Sequence, residues 1–101
     1  MPTRIWIAEI ISTVAQHYGM KPAHILRHSN RREFVQPRQV AVYLIRTLTN
    51  ASLYQIAEKL GQNRATVLYG ERTIKRRIAE DESLRATVEA LVAQLMSSRA
   101  A

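Results

Sequence analysis

The stretch Ser52-Leu53-Tyr54-Gln55-Ile56-Ala57-Glu58-Lys59-Leu60-Gly61-Gln62-Asn63-Arg64-Ala65-Thr66-Val67 decides the fold of this chain. Ser52 with Gln55 three residues later is a capping box, the pairing that satisfies the orphan N–H groups at a helix start. Leu53, Ile56, Ala57 and Leu60 then fall on one side of a short helix, which stops at Gly61. Asn63 caps the next helix. Two helices that cross steeply over a tight turn need a small residue at the crossing, a residue free to take positive φ at the turn, and a branched apolar residue where the second helix packs back. Ala57, Gly61 and Val67 stand at those positions. The spacing is that of a helix-turn-helix. An ordinary helical hairpin uses Ala and Gly in similar places, so the pattern fixes a corner and leaves its use open.

Outward from this corner every substantial segment reads as helix. Upstream, Thr3 is placed to cap a helix carrying Ile7, Ile10, Ile11, Val14 and Tyr18 at helical spacing, with Gly19 as its stop. Lys21-Pro22 starts a short helical turn with Ile25 and Leu26 on its apolar face. Residues 27–36 lack periodicity and read as a basic loop. Pro37 is expected to open a third helix with Val40, Ala41, Leu44 and Leu48 on one face. Downstream of Asn63 the fifth helix runs to about Ala79 with Val67, Ile74 and Ile78 inward. Asp81 and Ser83 signal a last helix over about 81–97, with residues 98–101 as a disordered tail. Its Leu84, Val88, Leu91 and Leu95 form a stripe that fits either the first helix of the same chain or a partner helix. The expectation is one compact all-α domain of about six helices over residues 1–101, Trp6 in its core.

Charge points to a partner. The chain has 101 residues, 47 % of them hydrophobic, and a net charge of +7. Between residues 21 and 77 twelve cations face only Glu33, Glu58 and Glu71, whereas from Ile78 onward Glu80, Asp81, Glu82 and Glu89 outnumber Arg85 and Arg99. That asymmetry favours a polyanion for the middle of the chain, against a merely basic, well-solvated surface. The absence of cysteine excludes disulfides and thiolate metal sites. No targeting segment or membrane span is legible, so a cytoplasmic, nucleoid-associated protein is expected.

The face of the second helix that the core does not claim carries the candidate site. The amino end of such a helix is what enters the major groove. Arg64 has the forked donor for guanine, Ala65 or Thr66 could meet a thymine methyl, and Asn63 either reads adenine or is spent on capping. Arg72, Lys75, Arg76 and Arg77 lie further along, better placed for phosphates or simply solvated. Tyr54 and Tyr69 point outward and could bond a phosphate or cover the core edge.

The runs Pro37-Arg38-Gln39-Val40-Ala41, Leu48-Thr49-Asn50-Ala51-Ser52-Leu53 with Ile56, and Thr66-Val67-Leu68 resemble the C-terminal duplex-DNA-binding domain of the bacterial replication initiators of the DnaA family. Val14, Tyr18-Gly19-Met20 and Leu26 resemble its opening, so the likeness spans roughly residues 5–95. It implies a Trp-repressor-like helical fold whose basic loop reaches the minor groove while the helix-turn-helix reads the major groove. Carried over by position, Arg38, Arg46, Thr49 and Leu53 fall on or near backbone-contacting positions and Thr66 on a base-proximal one. The family's minor-groove arginine falls on Asn30, beside Arg31 and Arg32. Where the family has Gly-Gly-Arg-Asp-His-Thr-Thr-Val, this chain has Gly61-Gln62-Asn63-Arg64-Ala65-Thr66-Val67, one residue shorter and without the Asp-His-Thr triplet. There is no Gly-x-x-x-x-Gly-Lys phosphate loop, so the chain reads as a stand-alone binding domain without the ATP-driven module.

These readings give double-stranded DNA as partner, with control of replication initiation or of transcription as the role. The chain would act as a monomer or weak dimer, without cofactor or metal. His24 and His28 recur at a metal-like spacing, but no third ligand is near them. No base–nucleophile arrangement supports an enzyme. The alternative is a regulatory module that binds the initiator or the helicase-loading machinery.

Overall fold

The computed structural model describes residues 5–26 and 31–100, the last three through their backbone alone, and all its regular elements are helices: α1 (Ile7–His17), α2 (Pro22–Leu26), α3 (Arg32–Leu48), α4 (Leu53–Leu60), α5 (Arg64–Glu80) and α6 (Glu82–Ala100). Helix α1 starts at Trp6, whose N–H donates to Glu9 Oε1. Thr3, expected as its cap, lies outside the described residues. Ile10, Ile11, Val14 and Ala15 bury the inner face of α1, and the helix closes through Gly19 at φ 67°. Trp6 is a correction: at the cap it is 55 % exposed and is not core.

Helix α3 differs most from expectation. It begins at Arg32, so the segment 32–36 is helical rather than loop, and Pro37 sits inside the helix. Contacts invisible to periodicity hold this extra turn. The Phe34 ring stacks on His24 with centroids 5.0 Å apart, and Gln36 Nε2 donates to Tyr18 Oη. Pro37 lacks the N–H that would bond the carbonyl four residues back, but that carbonyl belongs to Glu33, an exposed residue in the first turn of the helix. From there Val40, Ala41, Val42, Leu44 and Ile45 are buried, so the middle of α3 is enclosed on most sides. It lies against α1, α2 and α5 and forms the centre of the domain.

Helix α6 is capped by Asp81, whose Oδ1 accepts from the Leu84 N–H at 3.1 Å. It continues to Ala100, beyond the expected end near residue 97, since no glycine or proline interrupts the run. Leu84, Val88, Leu91 and Leu95 are 5 % exposed or less, and α6 packs on α1 and α5. The intramolecular reading of the stripe is therefore the one realised. Burying each such side chain contributes about 1.5–3 kcal/mol before entropy, which makes α6 part of the core.

Candidate nucleic-acid interface

The corner is built as its residues require. Ser52 Oγ accepts from the Gln55 N–H and Gln55 Oε1 from the Ser52 N–H, so α4 starts with a complete capping box. Gly61 ends α4 at φ 66° and ψ 32°, the left-handed conformation, and the Gln62 N–H closes back onto the Ala57 carbonyl at 2.9 Å. After Gln62, Asn63 is extended and its Oδ1 accepts from the Thr66 N–H at 2.7 Å. Ile56, Ala57, Leu60, Val67 and Ile74 fill the angle between the helices. The three-residue turn thus redirects the chain and sends α5 across α4.

Arg64, Ala65 and Thr66 are exposed at the amino end of α5, and Tyr69 is 70 % exposed one turn further on. Arg72, Lys75 and Arg76 continue the outward face. Of the four residues expected near bases, Asn63 has its oxygen committed to the cap. Arg31 and Arg32 are exposed at the start of α3, Arg31 pairing with Glu33 at 2.9 Å. That pair is mostly exposed, so it holds Arg31 weakly. Asn30 and His28 lie outside the described residues.

The residues expected at phosphates divide into two kinds. Arg38 is 6 % exposed and its Nε donates to the Ile25 carbonyl at 3.0 Å, tying α3 to α2. Burial alone pulls this guanidinium below its ordinary value, though an arginine stays charged there. It lines a cleft of about 180 Å³ between α3 and α5 with Gln39, Thr66 and Tyr69. Thr49 is likewise turned inward: its hydroxyl donates to Ile45 O and accepts from the Ala51 N–H, closing α3. Leu53 is half-buried at the start of α4. Arg46 and Lys75, by contrast, are exposed but paired. Arg46 Nε lies 3.1 Å and Lys75 Nζ 3.6 Å from the same oxygen, Oε2 of Glu71.

Glu71 is the residue that sequence reasoning missed. It is 5 % exposed on the inner side of α5, whereas the charge count treats it as one opposing surface carboxylate. The signal was present: Glu71 falls four residues after Val67, on the same stripe as Ile74 and Ile78, and four before Lys75. His24 accepts from the Lys21 N–H through Nδ1 while stacking on Phe34, a structural arrangement. Tyr54 is exposed, with its hydroxyl donating to Glu58. Among the described residues no group of His, Asp and Glu side chains gathers as a metal site, and no helix is long and apolar enough to cross a membrane.

A capped short helix, a left-handed glycine corner and a second helix with an exposed cationic face define a helix-turn-helix domain. The family described as the bacterial DnaA protein helix-turn-helix matches residues 7–74, and the chain belongs to that family. Similar proteins include the chromosomal replication initiator protein DnaA of Deinococcus radiodurans, 38 % identical over 88 residues, and that of Thermomicrobium roseum, 38 % over 87. The DnaA of Caulobacter vibrioides NA1000 is 39 % identical over 93 residues. These matches cover 87 %, 85 % and 91 % of this chain but 19 % of each relative, so the chain spans about a fifth of their length.

Proposed function

We propose that the chain binds double-stranded DNA and acts in the control of chromosomal replication initiation. The observation that carries this reading is the exposure of Arg64, Ala65 and Thr66 together at the amino end of α5, directly after the Gly61 corner. Arg64 reads guanine through its fork, and Ala65 and Thr66 meet a thymine methyl. Arg46, Tyr69, Arg72, Lys75 and Arg76 hold phosphates, and Arg31 and Arg32 reach the minor groove or its rim. Arg38 acts from below, as an anchor between α2 and α3. The replication role follows from the name of the relatives and from membership of their family.

Selection from a random duplex library tests both parts. Enrichment of a nine-base initiator-like motif supports the reading, and another motif redirects it to a different genomic target. No enrichment at any salt, with a protein partner captured after nuclease treatment, overturns it. With about six phosphates neutralised, affinity should fall on the order of a thousandfold between roughly 50 and 200 mM salt.

A further inference from the structure

The feature that duplex binding leaves unexplained is a buried carboxylate in the most cationic helix. Glu71 has a side chain only 7 % exposed, yet both of its partners reach out: Arg46 with 34 % and Lys75 with 59 % of the side chain exposed. The two cations come from different helices, α3 and α5, and meet on one oxygen atom. One residue before Glu71 the same two helices approach closely, since a Cβ added at Gly70 would stand 3.3 Å from Gln39 Cγ. The carboxylate is thus buried beside a close approach of the two helices, while the cations span the distance from it to solvent.

The donors decide what this arrangement can do. A guanidinium has five N–H donors in a plane, and the bond from Arg46 Nε uses one, leaving both Nη groups for a second partner. An ammonium has three donors, so Lys75 too can hold Glu71 and another acceptor. Lys75 follows Arg64 by eleven residues, about three full turns, so both lie on the same side of α5 and about 16 Å apart along its axis. With Arg64 at the floor of a major groove about 12 Å wide, Lys75 reaches the groove wall, where phosphates run.

We infer that Glu71 is a positioning residue that gathers Arg46 and Lys75 into one pre-ordered phosphate clamp. The inference rests on the duplex-binding reading above. Freed from Glu71, each cation is a flexible side chain that must be immobilised when DNA arrives, and the carboxylate meets that requirement during folding.

The test measures binding of the full chain to a labelled duplex of scrambled sequence. Glu71→Ala should weaken binding roughly threefold to tenfold, equally for every sequence. Glu71→Gln keeps an oxygen for Arg46 Nε and should recover part of the loss. In an Arg46→Met/Lys75→Met background Glu71→Ala should have no further effect. In the free protein the Arg46 Nε–H resonance should be protected from solvent exchange, and this protection should vanish in Glu71→Ala. Should that variant fail to fold, Glu71→Gln carries the same comparisons with smaller effects. Unchanged or tighter binding would make Glu71 a mere repulsive charge and overturn the inference, as would a loss that persists in the double-methionine background. In those cases wild-type binding stands; a wild-type chain that binds no duplex removes the duplex reading as well.

Discussion

Gly70 of α5 lies so close to Gln39 of α3 that an added Cβ would stand 3.3 Å from Gln39 Cγ, tighter than an ordinary van der Waals contact. The two helices that position the candidate site are in contact there. The obstacle is a flexible, half-buried side chain rather than backbone, so a single methyl can be accommodated by a small shift. Replacing glycine by alanine inside a helix gains about 1 kcal/mol of propensity. Gly70→Ala should therefore leave stability unchanged or raise it by up to about 1 kcal/mol, read from urea unfolding. Gly70→Val adds branches that Gln39 cannot clear and should destabilise; a Val variant as stable as Ala would show that the approach is loose.

Gly61 raises the opposite expectation. Its nearest foreign atom to a built Cβ is the Leu26 carbonyl oxygen at 4.0 Å, so space is not the issue. The φ of 66° is, since an L-residue with a Cβ is strained there by roughly 1–2 kcal/mol. Gly61→Ala should cost about that much in thermal or urea unfolding. Gly61→Asn should cost less, because asparagine tolerates the left-handed region. Equal costs would place the penalty elsewhere.

Arg46→Met leaves Glu71 buried with only Lys75, at 3.6 Å, to compensate. Breaking a fully buried pair costs several kcal/mol, but the Arg46 side chain is 34 % exposed and screened, so a loss of about 1–2 kcal/mol is expected. Adding Glu71→Leu should return most of it, since the stranded charge is gone. A double variant less stable than Arg46→Met would mean that the carboxylate has other dependents.

Arg38→Ala should behave as a core substitution. It removes the donor to the Ile25 carbonyl and opens space beneath α2, which should cost about 1–3 kcal/mol in unfolding. Arg72→Ala, at an exposed position, should stay within about 0.5 kcal/mol of the parent. Comparable stability of the two variants would contradict the anchoring role.

Arg64→Ala and Arg72→Ala should differ in binding rather than in folding. The first should lose about 1–3 kcal/mol on the selected site and relax one base position. The second should weaken all duplexes alike and flatten the salt dependence by about one phosphate. If both losses are uniform across sequences, Arg64 is a phosphate contact.

What could be read from the chain alone is what neighbouring residues decide. The Ser52–Gln55 box, the Gly61 stop and the Asn63 cap are local patterns whose chemistry is complete within a few residues, and each formed as expected. The helical start at Arg32 was hidden because its support comes from His24 in α2 and from Tyr18 just past the end of α1. Arg38 and Glu71 were misplaced for the same reason. A charged residue is read as exposed unless a partner is known, and their partners, the Ile25 carbonyl and Arg46, are brought near only by the packing of α3 on α2 and α5. Burial of a charge depends on what distant segments supply to it, and only the tertiary structure decides that.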